Sequence, residues 1–328
     1  MPVTIKKIAI ELGLSPATVS LALNGSPLVA EKTKKLVCEK AAELDYVPNN
    51  FGRGLQSRRS RLIGYMCNTI VNSFNSETME ACGMLAAANN YGMLLGVVGQ
   101  NLEHFDAQLQ LFMEKHVDGL IIALDNEFDV EQVPGFMRKI KQRELPVLAC
   151  ATDIVNAQIP VVSSNDFDGA YSAAEYILKL GHRYVVVPRV NTMRRRLEGY
   201  EAACRDYGAN VFYSDNAEDA CDIVATHPEV TAMLISNDYV ATYILSKLHH
   251  LGLCVPDDIS VIGFDDVWYA ARPEYSLTTM AQRRAKLGAI SMMTMLKMID
   301  GEEVPDEQLI ETSLVIRNTT SWPNSRRR

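Results

Sequence analysis

Residues 4–25 read TIKKIAIELGLSPATVSLALNG and carry the signals of two short helices. Thr4 and Ser15 each precede a helical stretch, and a hydroxyl at that position can accept a hydrogen bond from the first turn of the helix. Gly13 can end the first helix, because glycine accepts the left-handed backbone that a helix end often needs. Pro16 suits the first turn of the second helix. The pattern predicts two helices of about two turns joined by a very short turn, as in a helix-turn-helix.

A third helix is predicted over 31–44, since the following DYVPN stretch disfavours helical backbone before its proline. Together the three segments resemble the DNA-binding head of the lactose-repressor (LacI/GalR) family. The matching residues are Thr4-Ile5, Ile8-Ala9, Gly13-Leu14-Ser15, Thr18-Val19-Ser20, Leu23-Asn24, Leu44, Tyr46, Pro48 and Asn49. These matches stay in register across the segment, whereas an isolated helix-turn-helix pattern would be a weak signal.

The resemblance implies that residues 1–48 form a DNA-binding domain whose second helix lies in the major groove of double-stranded operator DNA. It implies base-edge positions for Pro16, Ala17 and Leu21. Alanine and leucine cannot make the bidentate hydrogen bonds that identify guanine or adenine, so they would contact thymine methyl groups. The resemblance also implies that Ser15, Thr18 and Ser20 contact phosphates and support the turn. The remaining implied DNA-binding positions are Thr4 and Asn24. For Thr18 and Val19, helix packing alone is the alternative.

The charge distribution along the chain is consistent with a head that binds a polyanion. Residues 1–62 hold ten Lys and Arg against five Asp and Glu, whereas the other 266 residues hold 22 against 35. A basic segment on an acidic chain suggests that only this segment approaches DNA. A chance imbalance in a short segment is the alternative.

Residues 49–60 would form a hinge. The resemblance implies that it becomes a short helix on operator DNA, where Leu55 wedges into the minor groove and kinks the duplex. Asn49 and Arg53 would contact the DNA backbone or groove. The hinge contains two glycines, each of which costs a helix about 0.5–1 kcal/mol relative to alanine, so we expect it to be unstructured without DNA. A flexible linker with solvated arginines is the alternative.

From Leu62 onwards, short apolar runs alternate with amphipathic stretches. Continuous apolar runs between helices indicate parallel strands that are buried on both faces. Two sets of runs predict two Rossmann-like lobes with a break near Ile159-Pro160. The first set is LIGYMC, GMLLGVV, DGLIIAL and PVLAC, and the second is RYVVV, TAMLIS and SVIGF. A long helix, AQRRAKLGAISMMTMLKMID, and one strand, LIETSLVIR, follow them. The predicted fold class is α/β, with a helical head and a two-lobed body.

The resemblance continues through the body in the segments GHRYVVV, RRRLEGYEAAC, ISNDYVA, VIGFDDVWYA and LTTM. It implies two lobes like those of a periplasmic sugar-binding protein, closing on a small-molecule effector. The implied N-subdomain comprises 61–159 and 281–316, and the C-subdomain comprises 160–280 and 317–328. The body would also form a homodimer, with a higher oligomer left open, so that two heads reach two half-sites.

Effector contacts are implied at the carboxyl ends of the strands, where open α/β sheets bind ligands. The implied residues are Thr69, Asn72 and Phe74 on the first lobe, and Arg196, Asn237, Asp265 and Trp268 on the second. An arginine can fork onto a carboxylate, a phosphate or vicinal hydroxyls. The alternatives are surface ion pairs for Arg196, a helix cap for Asp265 and interlobe packing for Trp268.

Three positions near this cleft depart from the family pattern. Ala151 stands where relatives often carry Asp, Asn165-Asp166 reverses the usual Asp-Asn order, and Ser73 replaces the usual Pro. The sequence therefore leaves the identity of the effector open.

Other classes of protein have little support in the sequence. It lacks the GxSxG, GxxxxGK and HExxH patterns of common enzyme sites and the GxGxxG of a dehydrogenase. No secretory signal or membrane span is apparent, and seven cysteines without a CxxC pair fit reduced thiols in a cytoplasm. We expect no cofactor, no metal and no membrane contact. The resemblance implies a cytoplasmic transcriptional regulator, a repressor controlled by a small molecule that would be a sugar or sugar derivative. The alternative is a sugar-binding protein whose head has no operator function.

Overall fold

A computed structural model describes residues 3–46, 59–71, 73–99, 101–124, 128–129, 133, 135–151, 154–155, 158–189 and 193–324. The chain forms two compact units, which we call the head (Met1–Ser60) and the body (Arg61–Arg328). The predicted hinge contacts Asn49, Arg53 and Leu55 lie outside the described residues, so their roles and the expected hinge folding stay predictions.

The head contains three helices, whose bounds are Ile5–Leu12 (α1), Pro16–Leu23 (α2) and Glu31–Glu43 (α3). They begin and end within one residue of the predicted positions. The Thr4 hydroxyl accepts a hydrogen bond from the Lys7 N–H at 3.4 Å, and the Ser15 hydroxyl accepts one from the Thr18 N–H at 3.0 Å. Gly13 follows α1 with a φ of 64°, a conformation that glycine adopts without strain. Local capping therefore sets both ends of α1 and the start of α2, whereas α3 begins after Ala30 without a side-chain cap.

One small apolar core holds the head together. Its fully buried residues come from all three helices and include Ile8, Ala9, Val19, Ala22 and Val37. This confirms that Val19 packs inside the head. Because α2 buries Val19 and Ala22, its opposite face is left to solvent.

The body contains fourteen strands among its described residues. In chain order they are Leu62–Cys67 (β1), Gly92–Val97 (β2), Gly119–Ala123 (β3), Phe128–Asp129 (β4), Val147–Cys150 (β5), Ile154–Val155 (β6), Val161–Ser164 (β7), Tyr184–Pro188 (β8), Asn210–Ser214 (β9), Ala232–Leu234 (β10), Ser260–Asp265 (β11), Thr278–Ala281 (β12), Glu307–Ile310 (β13) and Ser313–Val315 (β14).

Eight helices are described in the body. They are Ser73–Ala88 (α4), Leu102–Glu114 (α5), Phe136–Gln142 (α6), Asp166–Lys179 (α7), Arg194–Asp206 (α8), Ala217–Thr226 (α9), Asp238–His250 (α10) and Arg284–Ile299 (α11). None of the helices in the described ranges is both long and apolar enough to cross a bilayer.

Twelve of these strands form two six-stranded sheets, each covered by helices on both faces, and β4 pairs with β6 in a separate two-stranded sheet. The first has the order β13-β7-β5-β3-β1-β2, and all its neighbours are parallel. Helices α5 and α6 bury one face of it, and α4 and α11 bury the other. The second has the order β14-β12-β11-β10-β8-β9, in which only β14 runs antiparallel. Helices α9 and α10 cover one of its faces, and α7 and α8 cover the other. The α/β class and the two sets of buried parallel strands are confirmed.

The chain crosses between the sheets three times, and two crossings differ from the predicted boundaries. Strand β7 belongs to the first sheet, so the break predicted at Ile159-Pro160 lies one strand too early. Proline resembles a break in the sequence, but here Pro160 directly precedes a strand. The stretch LIETSLVIR is also two strands and not one, since β13 lies in the first sheet and β14 in the second. The last crossing therefore falls before Ser313, although 281–316 was assigned to one subdomain.

Helices α4 and α11 pack closely at Gly288, and this contact gives a stability prediction. A β-carbon at Gly288 would overlap the backbone carbonyl oxygen of Thr78 and approach Ala81 Cβ to 2.9 Å. Overpacking against a backbone typically costs about 1–3 kcal/mol, so we expect Gly288→Ala to lower the free energy of unfolding by that amount. Gly83 on α4 is the matched control, since its nearest neighbour would be the Met93 sulfur at 3.9 Å. Gly83→Ala should stabilise the body by about 0.5–1 kcal/mol through helix propensity. Equal thermal shifts in the two variants would contradict this packing.

Candidate functional site

The exposed face of α2 carries the predicted reading positions of the head. Pro16, Ala17 and Leu21 are exposed, and Leu21 keeps 37% of its surface accessible. Asn24 at the end of the helix is exposed as well, whereas Thr18 and Ser20 are half-buried. A short helix with a small, mostly apolar exposed face is thus presented to solvent.

The predicted phosphate positions of the head also have a local structural role. The hydroxyl oxygens of Ser15 and Thr18 lie 2.8 Å apart, and Ser15 caps α2. Thr4 caps α1 in the same way. These side chains support the turn between the helices, as expected for Ser15 and Thr18, while their contact with DNA stays a prediction.

In the body, Arg196 lies at the centre of a buried charge cluster, which we define as Asp166, Arg196 and Asp265. Arg196 projects from α8 and is only 5% exposed. Its guanidinium forms ion pairs of 3.2 Å with both carboxylates. It also donates to the Ser236 carbonyl at 2.5 Å and lies 4.0 Å above the centre of the Phe264 ring. The alternative that Arg196 makes only surface ion pairs is therefore wrong.

Asp265 ends β11 and is held by side chains from three directions. Its carboxylate accepts hydrogen bonds from Arg196 and from the Gln282 amide, and its backbone carbonyl accepts one from Arg284. Its φ of 123° lies in the region that favours glycine, so these contacts hold a strained backbone in place. Burial raises the pKa of Asp265 to about 6, against the opposing influence of Arg196 and Arg284. The carboxylate accepts from side chains, so the alternative of a helix cap is not supported.

Arg284 links this cluster to the first sheet's helices. It begins α11 directly after the second-sheet strand β12 and is 8% exposed. Its Nε and Nη2 atoms donate to the Glu77 carboxylate on α4 at 2.8 and 3.2 Å. Nη2 also donates to the Asp266 carbonyl at 2.7 Å. One guanidinium therefore joins the end of β11 to a helix of the other lobe.

Asn237 and Asp238 open helix α10 beside the cluster. The Asn237 side chain is half-buried and accepts a hydrogen bond from the Val240 N–H at 2.8 Å. Asp238 is fully buried, where it accepts from the Thr279 hydroxyl at 2.6 Å and the Val267 N–H at 3.0 Å. Burial, followed by repulsion from Asp265, raises the pKa of Asp238 well above its usual range.

A pH-dependent stability prediction follows for Asp238. A carboxyl with a raised pKa in the folded protein favours folding at low pH, and that contribution is lost as pH rises towards the folded pKa. Asparagine imitates the neutral acid, because it can accept from Val267 and donate to the Thr279 oxygen. The melting temperature of Asp238→Asn should therefore be close to that of the wild type near pH 4 and higher than that of the wild type at pH 8. Thermal unfolding across this range measures the difference, and a gap that does not grow with pH would contradict the buried carboxyl.

The remaining predicted effector positions are only partly described. Thr69 is half-buried after β1, and its hydroxyl accepts from the Val71 N–H at 3.1 Å. Asn72 and the side chain of Phe74 lie outside the described residues. Trp268 is 59% exposed and stacks with Arg272, whose guanidinium carbon lies 4.5 Å from its ring centre. The structure therefore does not bury Trp268 between the lobes.

One member of the charge cluster and three residues around it were missed by the sequence reasoning. Asp166 was noted only as half of a reversed pair, yet its carboxylate reaches Arg196. Gln282, Arg284 and Glu77 were not singled out, because their partners are distant in sequence. The AQRRAK stretch directly after LTTM was the signal that could have suggested them. Within the described part of the chain, no group of His, Cys, Asp or Glu side chains is placed to hold a metal ion.

Comparison with known proteins identifies both units. Residues 4–49 match the model of bacterial regulatory proteins of the lacI family, and residues 174–320 match that of a periplasmic binding protein-like domain. The head is therefore a lacI-family DNA-binding domain. The whole chain is 28% identical to the probable HTH-type transcriptional repressor ExuR of Bacillus subtilis, over 97% of this chain and 98% of that protein. It is 29% identical to the ribose operon repressor of Halalkalibacterium halodurans, over 97% of each chain.

Solved structures agree with this assignment. The lac repressor dimer bound to operator and the anti-inducer ONPF superposes with a TM-score of 0.87 and 26% identity, over 98% of this chain and all of that chain. A CelR–cellobiose complex superposes with a TM-score of 0.68 at 21% identity, which shows the shared fold. The chain therefore has a lacI-family helix-turn-helix head and a periplasmic-binding-protein-like body.

Proposed function

We propose that this chain is a cytoplasmic repressor that binds a double-stranded operator as a homodimer. A small molecule that binds between its lobes would raise or lower its affinity for the operator. The observation that carries this is the pairing of an exposed recognition helix with a buried polar cluster at the carboxyl ends of β11 and β12. The superposition with a lac repressor dimer on its operator supports the DNA and dimer assignments. The proposal gives the chain no catalytic role.

On the DNA side, we propose that Pro16, Ala17 and Leu21 contact base edges. The further DNA contacts of the proposal are Thr4, Ser15, Thr18, Ser20, Asn24, Asn49, Arg53 and Leu55. Because the exposed face of α2 is apolar, operator choice would depend on thymine methyl groups, on the hinge leucine and on DNA deformability.

On the ligand side, we propose that the effector lies between the two lobes. The proposed contacts are Thr69, Asn72 and Phe74 from one lobe, and Arg196, Asn237, Asp265 and Trp268 from the other. We also propose that the lobes, divided at the three sheet crossings, act as the two subdomains. A ligand changes operator affinity only as far as it binds one lobe arrangement better than the other, and the operator changes ligand affinity by the same factor.

Leu21→Arg should change which half-site is preferred. An arginine at this exposed position can make a bidentate contact with guanine, worth about 1–3 kcal/mol of discrimination. Selection of duplexes from a randomised pool by wild type and variant would measure the change. Ile10→Arg provides a control, because Ile10 on α1 is also exposed and its replacement adds the same charge outside α2. If Leu21→Arg altered affinity for all sequences equally, Leu21 would not be a reading position.

Salt dependence tests the DNA function of the full chain. Binding that neutralises phosphates weakens linearly with the logarithm of salt concentration. We expect duplex binding with a steep slope, and a preference for selected sequences over random ones. A chain that binds sugars but shows no affinity for any duplex at low salt would favour the alternative of a ligand-binding protein.

A further inference from the structure

Both buried guanidinium groups beside the proposed effector site are already neutralised by carboxylates of the protein. Arg196 pairs with Asp166 and Asp265, and Arg284 pairs with Glu77 through two nitrogen atoms. Arg284 also donates hydrogen bonds to the backbone carbonyls at the end of β11. Neither arginine is thus left with an excess positive charge for a ligand.

The charge cluster has more carboxylates than cations. Asp166 and Asp265, each under 10% exposed, face the single guanidinium of Arg196. Like charges brought together in a buried site repel strongly, since little water is present to screen them. A ligand carboxylate or phosphate would have to displace one of these side chains from Arg196 or lie beside it.

The same groups suit hydroxyls. Carboxylate oxygens accept hydrogen bonds from ligand O–H groups, and the Gln282 and Asn237 amides can both donate and accept. The hydroxyl of Ser164, which is 3% exposed at the carboxyl end of β7, has no hydrogen-bond partner among the described residues. A neutral polyol can offer both donors and acceptors to such groups, whereas a phosphate offers mainly acceptors.

We propose that the effector is an uncharged polyhydroxylated molecule, and that carboxylated or phosphorylated forms of the same molecule are rejected. This inference rests on the proposed function, because it concerns the ligand of the cleft. It also gives Arg196 a more specific role. Arg196 would orient the Asp166 and Asp265 carboxylates, which bind ligand hydroxyls, and would not itself bind an anionic ligand.

The test uses matched pairs that differ in charge, namely glucose, galactose and ribose against glucuronate, galacturonate and ribose 5-phosphate. Thermal shift and calorimetry on the full chain should show the neutral member of one pair binding tighter than its anion by on the order of 100-fold, as like-charge juxtaposition predicts. Asp166→Asn frees one side of Arg196 and should reduce this preference by on the order of 10-fold. Asp168→Asn, two residues further on the same helix but exposed, should leave it unchanged.

The outcomes separate the two proposals. Tighter binding of an anion by the wild type would overturn the charge inference and leave the proposed function standing. An unchanged preference in Asp166→Asn would also overturn it. Binding of no member of any pair would overturn the inference of an uncharged polyol, whereas the proposed function, which names only a small molecule, is decided by the duplex-binding measurements.

Discussion

Arg196→Ala is expected to lower the free energy of unfolding of the body by about 3–5 kcal/mol, the usual cost of breaking a buried ion pair by removing one partner. The variant would leave the carboxylates of Asp166 and Asp265 buried without their guanidinium. We also expect it to lose the response to ligand, since Asp265 would no longer be held. The head has its own core, so its fold should survive. Thermal unfolding and operator binding with and without ligand would measure both effects.

Arg195→Ala is the matched control for this prediction. Arg195 precedes Arg196 on α8 and pairs with Glu307 at 2.8 Å, but both side chains are about 40% exposed. An exposed pair contributes about 0–1 kcal/mol, so this variant should remain near the wild type. The double variant Arg196→Ala/Asp166→Ala should lose less stability than the sum of the losses in the two single variants, because it also removes a carboxylate that Arg196→Ala leaves unpaired. If the two arginine variants were equally stable, Arg196 would not organise the cluster.

Glu77→Ala is expected to weaken operator binding and to reduce the effect of ligand on it. The Glu77 side chain is 35% exposed, so its truncation should cost less than the loss of a fully buried partner, about 1–3 kcal/mol, and it would leave the buried Arg284 without this carboxylate. This pair joins a first-lobe helix to the end of β11, in a chain that superposes on a repressor bound to its operator. Its loss should therefore disfavour the operator-binding lobe arrangement. Couplings of this kind are typically 5- to 150-fold, which anisotropy titrations with labelled duplex can resolve.

Glu80→Ala tests whether the effect is specific. Glu80 lies three residues further along α4 and is exposed, so its loss should change neither stability nor coupling. Glu77→Gln keeps an oxygen that can accept from Arg284 but removes the charge, so its loss of operator affinity should be smaller than that of Glu77→Ala. Unchanged operator affinity in Glu77→Ala, together with a normal melting temperature, would indicate that the pair does not link the lobes.

The head could be predicted closely from sequence because its determinants are local. Thr4 and Ser15 cap the helices that follow them, and Gly13 takes the left-handed conformation that ends α1. The exposed face of α2 follows from the burial of Val19 and Ala22 by helical geometry. Each of these features depends on residues within a few positions of one another.

The cleft was less predictable because its contacts join distant parts of the chain. Arg284 and Glu77 are separated by 207 residues, and Arg196 and Asp265 by 69. Apolar patterning shows that a strand is buried but not which sheet it joins, so β7 and β14 were assigned to the wrong lobes. The short elements β9 and α9 were not predicted at all. Strand order and side-chain pairing across the lobes needed the structure.

The most direct test of a ligand-controlled DNA-binding regulator is an affinity measurement on the full chain with both partners present. Operator affinity would be titrated on a duplex selected from a randomised pool, with and without a saturating amount of the neutral sugar that most raises the melting temperature. We expect operator affinity to differ by at least about 5-fold with and without the sugar, and sugar affinity to differ by the same factor with and without duplex. Equal operator affinities at saturating sugar would contradict the claim that a ligand between the lobes controls the head.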